Sequence, residues 1–319
     1  MRNNQEEDAA QNPSNRNNTK PSKLDLEQMI KRHEKNPIIT ASNMPFPCNS
    51  VFNAGAIRHN GKHILLLRVQ DLTTVSHFVV AKSNDGIKFQ IRNEYAVSPD
   101  KGHNEKGVED ARITEIAGTY YIPHTAYSPQ GPGVSLAVTQ DFQTFKRKGL
   151  ILYPDTKNAV LHPEIVNEEF LLYHRPMENR NIWVAFSKDL KYWRSGQEPI
   201  LHHGQGWNEI KIGPGAVPIR TEEGWLHILH GVQGPTIYRL GVALFDLKDP
   251  TKLIRVSKTP ILSPRKDYER IGDVPNVVFT CGAIPESDGT VKIYYGGADT
   301  CICLATAKIE ELVDIALNH

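Results

Sequence analysis

The chain has 319 residues, a formal net charge of +1 and 23% charged residues. A balance this close to neutral leaves no electrostatic footprint for nucleic acid, and no run of about 18 apolar residues offers a membrane span. The length accommodates one large all-β domain with a substantial core.

Residues 1–23 are rich in Asn, Gln, Pro and Ser, a composition that predicts a disordered polar tail. They contain no apolar h-region, so no secretory signal is expected. Residues 24–35 place Leu24, Met29 and Ile30 roughly on one side with charges between them, which predicts a short helix packed on the outside of the domain. Residues 24–319 are expected as one domain, of strands and turns from residue 36 onward, closed by a short amphipathic helix in IEELVDIALNH. The four cysteines, Cys48, Cys281, Cys301 and Cys303, suit no metal-ligand spacing. They read as reduced thiols in a cytosolic protein without a metal site.

The strand region repeats. Five segments start at a turn and run through an apolar strand into polar residues: GKHILLLRVQD from Gly61, GTYYIPHTAYS from Gly118, EEFLLYHRPM from Glu168, EGWLHILHGVQ from Glu223 and GTVKIYYGGAD from Gly289. After a short break each is followed by a second apolar strand. The first three of these partners end in a shared tail, Ser83/Asp85/Phe89, Thr139/Asp141/Phe145 and Ser187/Asp189/Trp193. The starts lie roughly 50–65 residues apart, the spacing of propeller blades of about four strands. An all-β, five-bladed β-propeller is predicted, with the polar ends of the first strands around one central pocket.

Chemistry is therefore expected at those ends. In GVEDARIT, Glu109 and Asp110 precede Arg112. Strand alternation would turn Asp110 and Arg112 to the pocket together and Glu109 away. Arg112 would then hold the carboxylate and lower its pKa. A purely structural ion pair at a strand end is the alternative. Arg175 in YHRP, Lys211 in KIGPG and His230 in LHGV add basic groups, and Arg68 and Asp299 occupy equivalent strand ends in other repeats. One proton donor plus Arg175, Lys211 and His230 suits an anionic co-substrate such as phosphate, which needs binding rather than a base. Among the aromatics, Trp207 in HHGQGWNE is the expected sugar-stacking platform. Tyr121, Tyr127, Trp225, Tyr238 and Tyr268 are expected mostly to pack the blades.

The ordered set VFNAG, GVEDARIT, HPEIV, YHRP, KIGPGAVPI, WLHILHGV, LGVALFDLKDP, GDVPNVVF and YYGGADT resembles the glycoside hydrolase family 130 mannoside phosphorylases over about residues 36–309. The resemblance implies a five-bladed propeller that splits β-mannosides with inorganic phosphate, by inversion, to give α-mannose 1-phosphate. It implies Asp110 as general acid, acting through a mannose hydroxyl, and Arg175, Lys211 and His230 as phosphate ligands. Asn53, Arg68, Arg112, Glu164 and Asp299 are then expected at the sugar, and no cofactor beyond phosphate. Many members have Pro where this chain has Ala111. The Pro163–Glu164 pair resembles the branch acting on β-1,2-mannosides rather than β-1,4-mannosides. Two alternatives remain at this point: a hydrolase of the same fold with Glu164 as base, and a carbohydrate-binding propeller without turnover. The expected partners are a mannoside or manno-oligosaccharide and phosphate, with a homo-oligomer possible and neither nucleic acid nor membrane.

Overall fold

The structure, a computed structural model, describes residues 29–103 and 105–319. Five antiparallel sheets succeed one another along the chain and close into a five-bladed β-propeller. Blade 1 comprises Ser50–His59, Lys62–Gln70, Ser76–Ser83 and Gln90–Ile91; blade 2 Gly107–Glu109, Thr114–Ile116, Thr119–Ser128, Gly131–Thr139 and Lys146–Leu152. Blade 3 comprises Thr156–Leu161, Phe170–Pro176, Trp183–Ser187 and Arg194–Ser195; blade 4 Lys211–Pro214, Ile219–Arg220, Trp225–Gln233, Ile237–Phe245 and Leu253–Val256. Blade 5 comprises Val278–Pro285, Thr290–Gly297, Cys301–Lys308 and, from the other end of the chain, Lys31–Arg32.

Each of the five turn-started strands predicted by the repeat is present, one per blade. They are nevertheless the second strands of their sheets, not the first. An inner strand precedes each one and lines the axis. The strands read as continuous apolar runs because both faces are buried. In blade 1, Leu65 and Leu67 pack toward Tyr294, Ile302 and Leu304 of blade 5, while Ile64 and Leu66 pack toward Val108, Ile122 and Ala137 of blade 2. The shared tail of the partner strands is a turn device. Asp85, Asp141 and Asp189 each accept two backbone N–H bonds at 2.8–2.9 Å from residues two and three positions on. These donors hold the Asp85 carboxyl down at about 2. Asp246 repeats the device in blade 4.

The helix expected over residues 24–35 does not run to Lys35: Met29 is helical, and the chain is strand at Lys31 and Arg32. Lys31 and Arg32 pair antiparallel with Thr306 and Ala305. The free edge of Cys301–Lys308 offers unpaired backbone groups, and satisfying them while closing the ring outweighs local helical periodicity. Arg32 also bonds buried Glu269 at 2.7 Å, and Ile30 is buried in the core. The tail expected over residues 1–23 lies outside the described residues, as does the start of that expected helix. The expected C-terminal helix is present as Ile309–Asn318, its Leu312, Val313, Ile315 and Ala316 buried against blades 4 and 5. No helix among the described residues is long and apolar enough to cross a membrane, and all four cysteines are unbridged.

The inner strands are irregular for a common reason. Register shifts by one residue between Phe52 and Gly55, Lys157 and Val160, and Thr280 and Gly282. In blades 2 and 4 the inner strand is interrupted between Glu109 and Thr114 and between Pro214 and Ile219. A bulge of this kind bends the strand and re-aims a side chain. Asn53, Asp110 and Asn158 occupy these places with φ of 48°, 55° and 58°, a left-handed conformation that Asn and Asp tolerate better than most residues. Each is followed by a small residue, Ala54, Ala111 or Ala159, buried where the inner strands converge.

Candidate active site

The bulges open one end of the axial channel into a cavity of about 240 Å³, lined by all five blades. Blades 1, 2 and 5 contribute Asn53, Arg68, Glu109, Asp110, Phe279 and Asp299. Blades 3 and 4 contribute Lys157, Asn158, Arg175, His230 and Tyr238. The carboxylates therefore stand on one side with Arg68 among them, and Lys157 and Arg175 stand on the other.

On the acidic side Arg68 is the organising group. Its Nη1 donates to Asp110 Oδ1 at 3.0 Å, its Nη2 to Glu109 Oε1 at 2.8 Å and its Nε to Ser76 Oγ at 3.0 Å. Asn53 Nδ2 donates to the same Asp110 Oδ1 at 3.0 Å, which leaves Oδ2 to the cavity. Burial pushes the Asp110 carboxyl up, but Arg68, Arg112, Lys157 and the Asn53 bond outweigh it and hold it below the usual range. Asp299 goes the other way, to about 7, through burial and the nearby charge of Asp110, against the pull of Arg68.

This arrangement reverses the expected facing at Glu109 and Arg112. The left-handed φ of Asp110 breaks strand alternation, so Glu109 and Asp110 both line the cavity. Arg112 is fully buried below it and donates to the carbonyl oxygens of Asp110, Gly215 and Pro214 at 2.7, 3.1 and 3.3 Å. It ties blade 2 to blade 4 rather than facing a sugar. Each buried acceptor left without its donor costs about 1–3 kcal/mol. Arg112→Met is expected to lower unfolding free energy by at least about 3 kcal/mol, read from urea denaturation midpoints. A loss below about 1 kcal/mol would show that the tie is dispensable.

On the basic side, Arg175 is 2% exposed and donates from Nε and Nη2 to Asn158 Oδ1, both at 3.1 Å, so Nη1 remains for a ligand. Burial lowers its pKa to about 10, and it stays charged at neutral pH. Lys211 does not line the cavity. Its Nζ donates to Tyr238 Oη at 2.6 Å, and burial together with Arg175, Lys157 and Arg180 brings it to about 8. His230 Nδ1 lies 3.1 Å from the Pro214 carbonyl oxygen. A carbonyl only accepts, so Nδ1 carries the proton. Burial first, then Arg175, Arg112 and Lys211, hold the ring's pKa well below the ordinary value. His230 is thus a neutral imidazole whose Nε2 accepts, and the positive charge belongs to Lys157, Arg175 and Lys211. The imidazole fits because its cross-strand partner is Gly213. A Cβ there would stand 2.5 Å from the ring.

Glu164 is not part of this cavity. Each inner strand runs from the cavity to a groove at the opposite end of the channel, and Glu164 lies in that groove with Ile57, Ile113, Pro218 and Ala283. It is half exposed and pairs with Arg220 at 3.2 Å. Trp207 is likewise withdrawn from the sugar. It is buried, donates from Nε1 to Ser257 O at 3.0 Å, and its ring fills the space beside Gly231 and Gly241. Tyr238, expected to pack a blade, is a cavity wall instead. Lys157 and Asn158 were not singled out from the sequence. The signal for Asn158 is the recurring Asn/Asp–Ala pair: Asn53–Ala54, Asp110–Ala111, Asn158–Ala159.

A family model described as β-1,4-mannooligosaccharide phosphorylase matches residues 18–318. The chain belongs to glycoside hydrolase family 130. It is 32% identical to the β-1,2-mannobiose phosphorylase of Listeria innocua, over 89% of this chain and 97% of that protein. It is 36% identical to the 1,2-β-oligomannan phosphorylase of a Thermoanaerobacter species, over 82% and 91%. The solved Listeria enzyme in complex with β-1,2-mannobiose superposes with a TM-score of 0.84, covering 90% of this chain and 99% of that one. The five-bladed ring is thus the architecture of this family, and the relatives named here are mannoside phosphorylases.

Proposed function

We propose that this family 130 enzyme is an inverting β-mannoside phosphorylase with preference for β-1,2-linked mannosides, using inorganic phosphate as co-substrate and working in the cytosol without a metal. The observation that carries the reading is the division of the cavity into a carboxylate wall and a cation wall. A mannosyl residue between the walls has Asp110 Oδ2 on its leaving-group side and an anion seat on the other. Phosphate held by Lys157 and Arg175, with Lys211 adding its charge from behind Tyr238, is aligned for attack opposite the departing sugar, with His230 Nε2 accepting a phosphate O–H. Asp110, once protonated, supplies the leaving oxygen with its proton through a mannose hydroxyl. Asn53, Arg68 and Asp299 hold the sugar. Phosphate is itself the nucleophile, so no base is required beside it. A hydrolase needs a carboxylate there to activate water. The lining carboxylates Glu109, Asp110 and Asp299 all stand on the other wall.

The linkage preference rests on the relatives and not on Glu164. Incubating the protein with mannose 1-phosphate and a panel of acceptor sugars should yield β-1,2-mannosyl products by linkage analysis. Products that are mainly β-1,4-linked would refute the preference and leave phosphorolysis standing. Glu164→Gln is expected to change kcat/KM by less than about twofold and to leave the product linkage unaltered, because an exposed ion pair contributes little. A switch of linkage in that variant would return Glu164 to the substrate.

A further inference from the structure

Three carboxylates, Glu109, Asp110 and Asp299, line one small cavity, and only one cation bonds any of them. All three nitrogens of that cation, Arg68, are engaged by Asp110, Glu109 and Ser76. Asp299 has neither an ion pair nor a hydrogen-bond donor of its own among the described residues. It is also held in place. Ala298 and Asp299 both have left-handed φ, 46° and 52°. The Ala298 N–H donates to Val277 O at 3.1 Å, and Thr300 Oγ1 and the Val274 N–H both donate to Ala298 O. Two successive non-glycine residues in this conformation persist only where the surroundings fix them.

The groups whose charge reaches Asp299 are Arg68 from blade 1, Glu109 and Asp110 from blade 2, and Asp273 from the segment leading into blade 5. Tyr238 of blade 4 and Cys281 of blade 5 also feel it, both neutral near pH 7. Of these four, three are acidic and one is a cation. Charge repulsion in a buried pocket is relieved by leaving a proton on the least compensated carboxyl.

Resting on the reading of this cavity as the sugar site, we propose that Asp299 is the protonated carboxyl of the resting enzyme, and that its O–H, donated to a sugar hydroxyl, sets the alkaline limit of turnover. Ionised, it would replace that donor with a third negative charge in a cavity that must also admit phosphate. Burial and the charge of Asp110 push its carboxyl up to about 7, so the acid form prevails below that value and is lost above it.

Two measurements test this. The first is the pH dependence of kcat/KM for wild type and Asp299→Asn, whose amide keeps an N–H donor and cannot ionise. Phosphate titrates identically in both reactions, so the ratio of wild type to variant cancels it. That ratio is expected to fall about tenfold per pH unit above about 7, and a ratio constant with pH would overturn the proposal. The second needs no substrate and therefore separates this claim from phosphorolysis itself. The infrared difference between wild type and Asp299→Asn should contain a protonated-carboxyl C=O band that disappears as pH rises through about 7. Absence of that band at pH 6 would overturn the proposal even if the variant is inactive.

Discussion

Asp110→Asn is expected to lower the rate of mannoside phosphorolysis by about 10²–10⁴-fold, the usual contribution of a general acid. Asn preserves the bond from Asn53 and much of the contact with Arg68, so the cavity should keep its shape and still bind mannose. The mechanism also fixes a chemical rescue. Substrates whose leaving group departs without protonation, such as nitrophenyl mannosides, should lose far less than natural disaccharides. Equal losses on both substrates would mean that Asp110 serves to position the sugar. Near-wild-type turnover would make it a structural partner of Arg68. Asp110 is held below the usual carboxylate range, so its working protonation depends on what enters with the sugar and phosphate.

Arg175→Ala is expected to weaken phosphate use by about 10- to 100-fold, because a hydrogen bond to a charged group contributes roughly 1.5–3 kcal/mol. Its position makes the effect specific. The guanidinium spends Nε and Nη2 on Asn158 and presents Nη1 to the cavity, on the wall away from Asp110. The KM for phosphate should rise, while binding of mannose alone changes little. Arg175→Lys should recover only part of the loss, since one ammonium cannot both hold Asn158 Oδ1 and reach an anion in the same geometry. A variant that loses sugar binding and phosphate use equally would place Arg175 at the sugar and dissolve the division into two walls.

The architecture was legible because propeller blades repeat. Second strands are long, apolar on both faces and started by turn residues, so Gly61, Gly118, Glu168, Glu223 and Gly289 mark all five. The Ser/Thr-x-Asp tail is equally visible, since its Asp must stand two and three residues before the N–H groups it accepts. Inner strands were missed for a physical reason. They run to as few as three residues in Gly107–Glu109, and bulges break the alternation that makes a strand readable. The same bulges explain the reversal at Glu109 and Arg112, because a left-handed residue at Asp110 turns every later side chain. Asn53, Arg68, Asp110, Arg175, His230 and Asp299 were found in sequence and meet in the cavity. Lys211 stands just behind it through Tyr238. Glu164 and Trp207 were misplaced because a loop residue's position around the ring says nothing about which end of the channel it occupies. Nor does it say whether two distant glycines clear room for a ring. The charge state of His230 was also beyond sequence, since it depends on burial and on Pro214 O.

The most direct test of the account is the fate of mannose in the presence and absence of phosphate. Wild-type protein incubated with β-1,2-mannobiose and phosphate should release α-mannose 1-phosphate and mannose in equal amounts. The anomeric configuration is read by NMR on the mannose 1-phosphate, which as a glycosyl phosphate does not mutarotate. In phosphate-free buffer almost no cleavage should occur. Comparable release of mannose without phosphate would contradict the account, since the cation wall would then be serving some other purpose and water would be the nucleophile.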